Sequence, residues 1–313
     1  MRAYYCDEFI LPLPPGHRFP MQKYRLLRDR VAREMPGVEL HVPPAASDGQ
    51  LALAHTPDYL DRVCRGLLTA PEQRELGFPW SEAMVERARR SVGATISAAR
   101  AAHSEGVAVN LAGGTHHAYA SKGSGFCVFN DAVVAARLMQ AERRARRVVL
   151  IDLDVHQGNG SAAIVRDDPS IFTLSLHAAG NFPFRKEEGD LDVALPDGTG
   201  DGPYLEALRM ALDALDARFD AGFAIFLAGA DPHEGDRLGR LKLSLAGLAE
   251  RDRMVLAWAW RRRVPVAVTM AGGYGHRIED TCAVHAQTVG LASAHWARWQ
   301  GTRAASRAAE TLG

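Results

Sequence analysis

The chain has only four cysteines in 313 residues, Cys6, Cys64, Cys127 and Cys282, and they form no Cys-x-x-Cys pair. That argues against a thiolate zinc site and a disulfide framework, and a reducing, cytoplasmic compartment is expected. No run of eighteen apolar residues occurs, and the opening MRAYYCDEFILPLPPGHRFP has prolines where a signal peptide needs an unbroken apolar core. Net charge is absent as well, with 37 Lys and Arg against 37 Asp and Glu. Without a basic field, neither nucleic acid nor an anionic membrane is an expected partner, and recognition must be local. Internal repeats and low-complexity linkers are also missing.

What is present is enough apolar material, 47% of residues, to bury a large core. The expectation is one α/β domain over residues 1–313, with a frayed tail after about residue 300. Residues 1–22 read as a long, proline-punctuated surface loop and 22–34 as a short helix. Strand and loop follow to Gln50, then a helical segment from Pro57 to about Leu67. The stretch 81–103 places Met84, Ala88, Val92, Ile96 and Ala99 at helical spacing behind a Ser81 cap. Further helices are expected over 131–143, 203–219, 249–263 and 278–299.

Between these helices lie buried strands at 107–112, 148–154, 171–177, 223–229 and 264–271. Alternation of that kind implies a mostly parallel sheet covered by helices on both faces. Ligands of such sheets bind outside the carboxyl ends of the strands. Four strands here end in reactive residues: His116 and His117, then Asp154 and His156, then Asp231, then Tyr274. The segment 178–202 is long and irregular, a length that inside a compact domain is usually functional.

The stretch VVLIDLDVHQGNGSA at 148–162 organises the rest. Residues two apart in an extended chain share a face, so Asp152, Asp154 and His156 are expected to project together. Clustered buried carboxylates need a cation to offset them, and one nitrogen with two oxygens suits zinc. The bland alternative is a strand end capped by solvated polar residues. Asp231, fixed by Pro232, is placed to complete a set with Asp154 and His156, although an Asp before Pro is often only a turn residue. Asp152 is better suited to hold a histidine, and it is expected to orient His116, with Asn159 contacting His117. Tyr274, between two glycines, is a candidate oxyanion donor or an ordinary turn aromatic.

With these residues assembled, the chain resembles the histone deacetylase superfamily, which includes acetylpolyamine amidohydrolases and acetoin-utilisation proteins. The matching blocks are GGTHHA, GFCVFND, DLDVHQGNG, AGADPHEGDRLGRL and AGGYG, in the family's order from about residue 107 to 275. The DPHEGDRLG and HQGNG wording and the amino-terminal GHRFPMQKY look most like the class IV branch and its bacterial relatives. The resemblance implies an arginase-like α/β fold and zinc-dependent removal of an acyl group from an amine. It implies that Asp154, His156 and Asp231 bind one zinc ion, that His117 is the general base and His116 its electrostatic partner, and that Tyr274 donates to the carbonyl oxygen. A structural potassium ion near Asp152, Asp154, His156, Ser175 and Leu176 is also implied. At Asn159 class I members carry Asp; a neutral partner raises the proton affinity of His117 less, so Asn159→Asp is expected to shift a limb of the pH-rate profile.

On the substrate side, Gly125 and Phe126 match the family's tunnel wall, and Phe182 in the long loop is a candidate for the opposite wall; both rings have ordinary core packing as their alternative. Leu238 stands where one polyamine-deacetylase branch has an acidic gatekeeper, which tilts the reading toward acyl-lysine or another neutral-stemmed amide. A small acylated amine or polyamine remains the alternative, and acyl length, native metal (zinc or iron) and oligomeric state stay open. Two other classes are weighed. A manganese ureohydrolase wants a carboxylate at the position of Gly158, and a non-catalytic acyl-lysine binding module should lack a ligand, base or tyrosine.

Overall fold

Val148, Leu150 and Val149, Ile151 alternate along one strand, and the two pairs enter two different apolar cores. A strand buried on both faces must lie in the middle of a covered sheet. The computed structural model describes residues 1–311, with side chains described through Thr302. Its strands are β1 (Arg2–Tyr4), β2 (Glu39–His41), β3 (Val107–Asn110), β4 (Val148–Asp152), β5 (Ile171–Ala178), β6 (Leu191–Leu195), β7 (Phe223–Leu227) and β8 (Val266–Thr269). They form one sheet in the order β2-β1-β3-β8-β7-β4-β5-β6, and every neighbouring pair is parallel.

The helices are α1 (Gln22–Glu34), α2 (Asp48–Leu51), α3 (Pro57–Cys64), α4 (Ala70–Leu76), α5 (Glu82–Glu105), α6 (Asp131–Ala141), α7 (Asn159–Val165), α8 (Asp201–Arg218), α9 (Leu245–Arg262) and α10 (Ile278–Thr311). Leu27 and Val31 of α1, Leu208 and Leu215 of α8, Val255 and Trp258 of α9, and Val284 and Val289 of α10 cover one face of the sheet. Tyr59 and Val63 of α3, Val92 and Ile96 of α5, and Val133 and Met139 of α6 cover the other. Each such side chain contributes about 1.5–3 kcal/mol when fully buried. Caps fix where the long helices begin: Ser81 accepts from the Met84 N–H, Asn130 from that of Val133 and Ser244 from that of Gly247.

This is the arginase/deacetylase-like three-layer arrangement expected, with local differences that include the short helices α2 and α4, which the sequence reading does not contain. Residues 2–4, read as loop, form β1 between β2 and β3, because Ala3 is wholly buried even though Arg2 is exposed. The segment 178–202 contains the edge strand β6, whose exposures alternate as a one-sided strand requires. The glycine turn after His156 opens directly into α7, and Asn159 is its first residue. The closing helix, expected to end near Trp299, runs on to Thr311, since nothing in TRAASRAAET breaks a helix. Among the described residues, no helix is long and apolar enough to cross a membrane. The cysteines are free.

Candidate active site

β4 delivers Asp152 as its last residue, in register with Ser175 on β5 and Leu227 on β7. Beyond it the backbone turns. Asp152 Oδ1 accepts from the Asp154 N–H at 3.2 Å, and Asp154 Oδ1 accepts from the His156 N–H at 2.9 Å. These side-chain turns end the simple strand alternation expected for Asp152, Asp154 and His156. They carry Asp154 and His156 toward Asp231 instead. His156 Nδ1 lies 2.9 Å from Asp154 Oδ1 and 3.2 Å from Asp231 Oδ2. One ligand atom from each of the three residues falls within 4.8 Å of the others.

Asp231 is held by the Val155 N–H, which donates to its Oδ1 at 3.0 Å. Its Oδ2 is buried without a well-formed hydrogen bond. Gly272 is required by close approach: a Cβ there would stand 1.9 Å from Asp231 Oδ2, and the Gly272 N–H donates to Asp154 Oδ2 at 2.7 Å. Two buried carboxylates and an imidazole around one point form a donor set that fits a zinc ion.

The charges in this cluster act on one another. Burial and then the neighbouring Asp154 push the Asp231 carboxyl up to about 7, against the bond from His156. Burial also works against the Asp154 carboxylate, but His116 and His156 outweigh it and hold its pKa well below the usual range. Burial alone would lower His156; its bonds to Asp154 and Asp231 bring it up to about 10. The two carboxylates thus draw positive charge to the point they share, the condition under which a divalent cation binds well.

The histidine pair comes from the loop after β3. Asp131, at the start of α6, accepts from the N–H groups of Gly114 and Thr115 at 3.0 and 2.7 Å and from the Thr115 hydroxyl. This fixes the loop from which both rings project, with centroids 4.1 Å apart. His116 Nδ1 lies 2.6 Å from Asp152 Oδ2, and His117 Nδ1 lies 2.6 Å from Asn159 Oδ1. Their environments push them in opposite directions. Burial lowers His116, but the carboxylates of Asp152 and Asp154 more than offset it and raise the ring to about 9. Burial drives His117 well below its ordinary value, with His116 and His156 adding to the effect and the Asn159 bond opposing it. Adjacent groups pushed apart in this way are able to divide acid and base roles between them.

Tyr274 lies on the turn after β8. Asp236 accepts from the Tyr274 N–H at 2.6 Å, and the Lys23 ammonium donates to the carbonyls of Ala271 and Gly273 at 3.4 and 3.2 Å. Gly125 and Phe126 are the centre of a two-residue turn closed by Ser124 and Cys127, and both have positive φ, 53° and 66°. That left-handed backbone is costly for a phenylalanine, about 1–3 kcal/mol, and the Phe126 it holds lines the cavity, with its ring against His17, Phe19 and Phe78. The Phe182 ring packs edge-on against His117 at 4.9 Å. Phe126, Phe182, Leu238, Tyr274, His116, His117, Asp154 and His156 all line one cavity of about 650 Å³. Ser175 and Leu176 lie outside it on β5, where the Ser175 hydroxyl meets His177 Nδ1 at 3.0 Å.

A family profile described as Histone deacetylase domain matches residues 17–289. The chain belongs to the histone deacetylase family. As a member it is a deacetylase-type hydrolase acting on an amide C–N bond. It is 41% identical to an uncharacterized protein of Picosynechococcus sp. over 283 residues, 90% of this chain and 94% of that one. It is 34% identical to histone deacetylase 2 of Arabidopsis thaliana, covering 74% of this chain and 62% of the plant protein. Against the acetoin utilization protein AcuC of Bacillus subtilis the identity is 33%, over 76% and 67% of the two chains. Among solved structures, an HDAC homolog from Aquifex aeolicus superposes with a TM-score of 0.80 at 25% identity, over 93% of this chain and 83% of that one.

Several residues of this deacetylase site carry no role in the sequence reading. Asp131 and Asp236 lie inside matched blocks, and their position in the motif was the available signal. His17 and Phe19 line the cavity from a segment read as surface loop, because the loop folds back over Phe126, and Lys23 and Tyr24 line it from the first turn of the expected helix α1. Tyr119, which accepts from Asn159 Nδ2 at 2.8 Å, had no signal at all.

Proposed function

We propose that this deacetylase is zinc-dependent and removes an acyl group, acetyl first of all, from the amine of an acyl-lysine or another neutral-stemmed amide. One observation carries the reading: Asp154 and His156 of a three-residue metal donor set, an imidazole driven to the neutral form and a tyrosine line the same largely apolar cavity, with Asp231 buried directly behind the two ligands. Asp154, His156 and Asp231 would hold the zinc, which when bound polarises the amide carbonyl and acidifies water.

His117 takes the proton of the attacking water at Nε2, because Nδ1 is engaged by Asn159. The same nitrogen then returns the proton to the departing amine. His116, held by Asp152, keeps a positive charge beside the developing oxyanion and favours its formation. The Tyr274 hydroxyl donates to that oxygen as charge builds. Phe126 and Phe182 enclose the methylene stem and exclude water from it.

A structural potassium ion belongs to this reading, beside Asp152, Asp154, His156, Ser175 and Leu176. Its support comes from Asp152 and Ser175 alone, which with Thr173 and Asp192 lie on the polar side of a small, mainly apolar cavity of about 10 Å³ that Asp154, His156 and Leu176 do not line. The exposed charged residues lining the cavity are Arg18, Arg74, Glu75 and Arg240; Glu75 is paired with Lys122 and Arg240 with Asp197, which leaves the two arginines Arg18 and Arg74. That balance disfavours a polycation, which is why acyl-lysine is preferred to an acetylated polyamine.

The test is amine release from acetyl-lysine and fatty-acyl-lysine peptides, acetylated polyamines and small acetylated amines, each with and without chelator. The expected result is chelator-sensitive turnover, highest kcat/KM on an acyl-lysine peptide. Preference for the polyamine would refute the substrate assignment, and no turnover on any with one zinc bound would favour a binding module.

A further inference from the structure

His117 can act as a base only if Nε2 carries a lone pair, so its proton must sit on Nδ1 and donate to Asn159. An asparagine does not guarantee this. Its side chain has an accepting oxygen on one side and a donating nitrogen on the other, and turning it over would present Nδ2 to the imidazole. His117 Nδ1 would then have to accept, the proton would move to Nε2, and the base would be lost.

A chain of hydrogen bonds running outward from Asn159 removes the ambiguity. Asn159 Nδ2 lies 2.8 Å from the Tyr119 oxygen, and the Tyr119 hydroxyl lies 3.2 Å from Glu187 Oε1. The other oxygen of Glu187 is paired with Arg166 at 2.5 Å. Glu187 is itself pinned, since its N–H donates to Gln157 Oε1 at 2.9 Å and its carbonyl accepts from Gln157 Nε2 at 2.7 Å.

The polarity of the chain follows link by link. An ionised carboxylate only accepts, so the single Tyr119 proton points to Glu187. The Tyr119 oxygen can then only accept from Asn159, which places Nδ2 outward and Oδ1 toward His117. The proton of His117 is thereby fixed on Nδ1.

We propose that Tyr119 and Glu187 are positioning residues that set the orientation of the Asn159 amide and through it the tautomer of His117. The proposal rests on His117 being the base, and it identifies what the neutral asparagine needs that a carboxylate in its place would not.

The experiment is Tyr119→Phe in two backgrounds, assayed on an acetyl-lysine peptide. In the native background kcat is expected to fall on the order of tenfold with KM unchanged, as for other groups that orient a catalytic histidine. In the Asn159→Asp background the same change is expected to alter kcat less than about twofold, because a carboxylate has two equivalent accepting oxygens and no wrong way round. Wild-type kcat in Tyr119→Phe, or an equal loss in both backgrounds, overturns the proposal. The ring ¹⁵N shifts of His117 give a readout that does not need turnover: Nδ1–H in the native protein, and a mixture of tautomers in Tyr119→Phe. An unchanged tautomer there overturns the proposal even if the protein proves inactive on every amide, a result that would count against the deacylase reading alone.

Discussion

His117→Ala is expected to lower kcat by about 10²–10⁴-fold, the usual contribution of a positioned general base, while zinc content stays at one ion per chain. The two halves of that result belong together. His117 is joined to Asn159, and the three clustered ligand atoms come from Asp154, His156 and Asp231. Its removal therefore takes away proton transfer and leaves the metal donors complete. Loss of zinc together with activity would make His117 a ligand, and near-normal turnover would move the base elsewhere. Turnover against pH, with zinc measured on the same samples, separates these outcomes.

Tyr274→Phe is expected to cost about 10²–10³-fold in kcat, the typical loss for one oxyanion donor. Folding and zinc content should be unchanged. The ring is fixed through its backbone, by Asp236 on the Tyr274 N–H and by Lys23 on the carbonyls of Ala271 and Gly273, and the substitution keeps all of these bonds. Burial and the nearby Asp231 keep the phenol protonated, so it stays a donor across the working pH range. Only the hydroxyl is lost. Comparison of kcat and zinc content between the variant and the parent checks this, and a loss below about tenfold would assign the oxyanion to His116 instead.

The parts of this site legible in the sequence were those that a buried strand delivers. VVLID announces β4 through unbroken apolar character, and the polar residues after it could be assigned to the strand's carboxyl end. The same holds for His116 and His117 after β3 and for Tyr274 after β8. What the pattern could not supply was geometry past the strand end. Strand alternation stops at Asp152, and the turns that bring Asp154 and His156 to Asp231 are made by side-chain bonds to the backbone.

Short and solvent-edged elements were hidden for a different reason. β1 has three residues, and only Ala3 among them is buried, so no periodicity exists to read. β6 alternates over five residues inside a stretch rich in Asp, Glu and Gly, which reads as loop. Tyr119 and Glu187 lie 68 residues apart and belong to no common motif, so their contact with each other and with Asn159 emerges only when the loop between β5 and β6, α7 and the loop after β3 meet.

One metal ion held by Asp154, His156 and Asp231 is proposed to be required for amide hydrolysis. The most direct measurement is a titration of zinc into chelator-stripped protein, following amine release from an acetyl-lysine peptide and bound zinc together. Activity that rises in proportion and levels off at one zinc per chain, and that fails to rise in Asp231→Ala, is the expected result. Full activity in the stripped protein, or a plateau requiring two ions per chain, would contradict it.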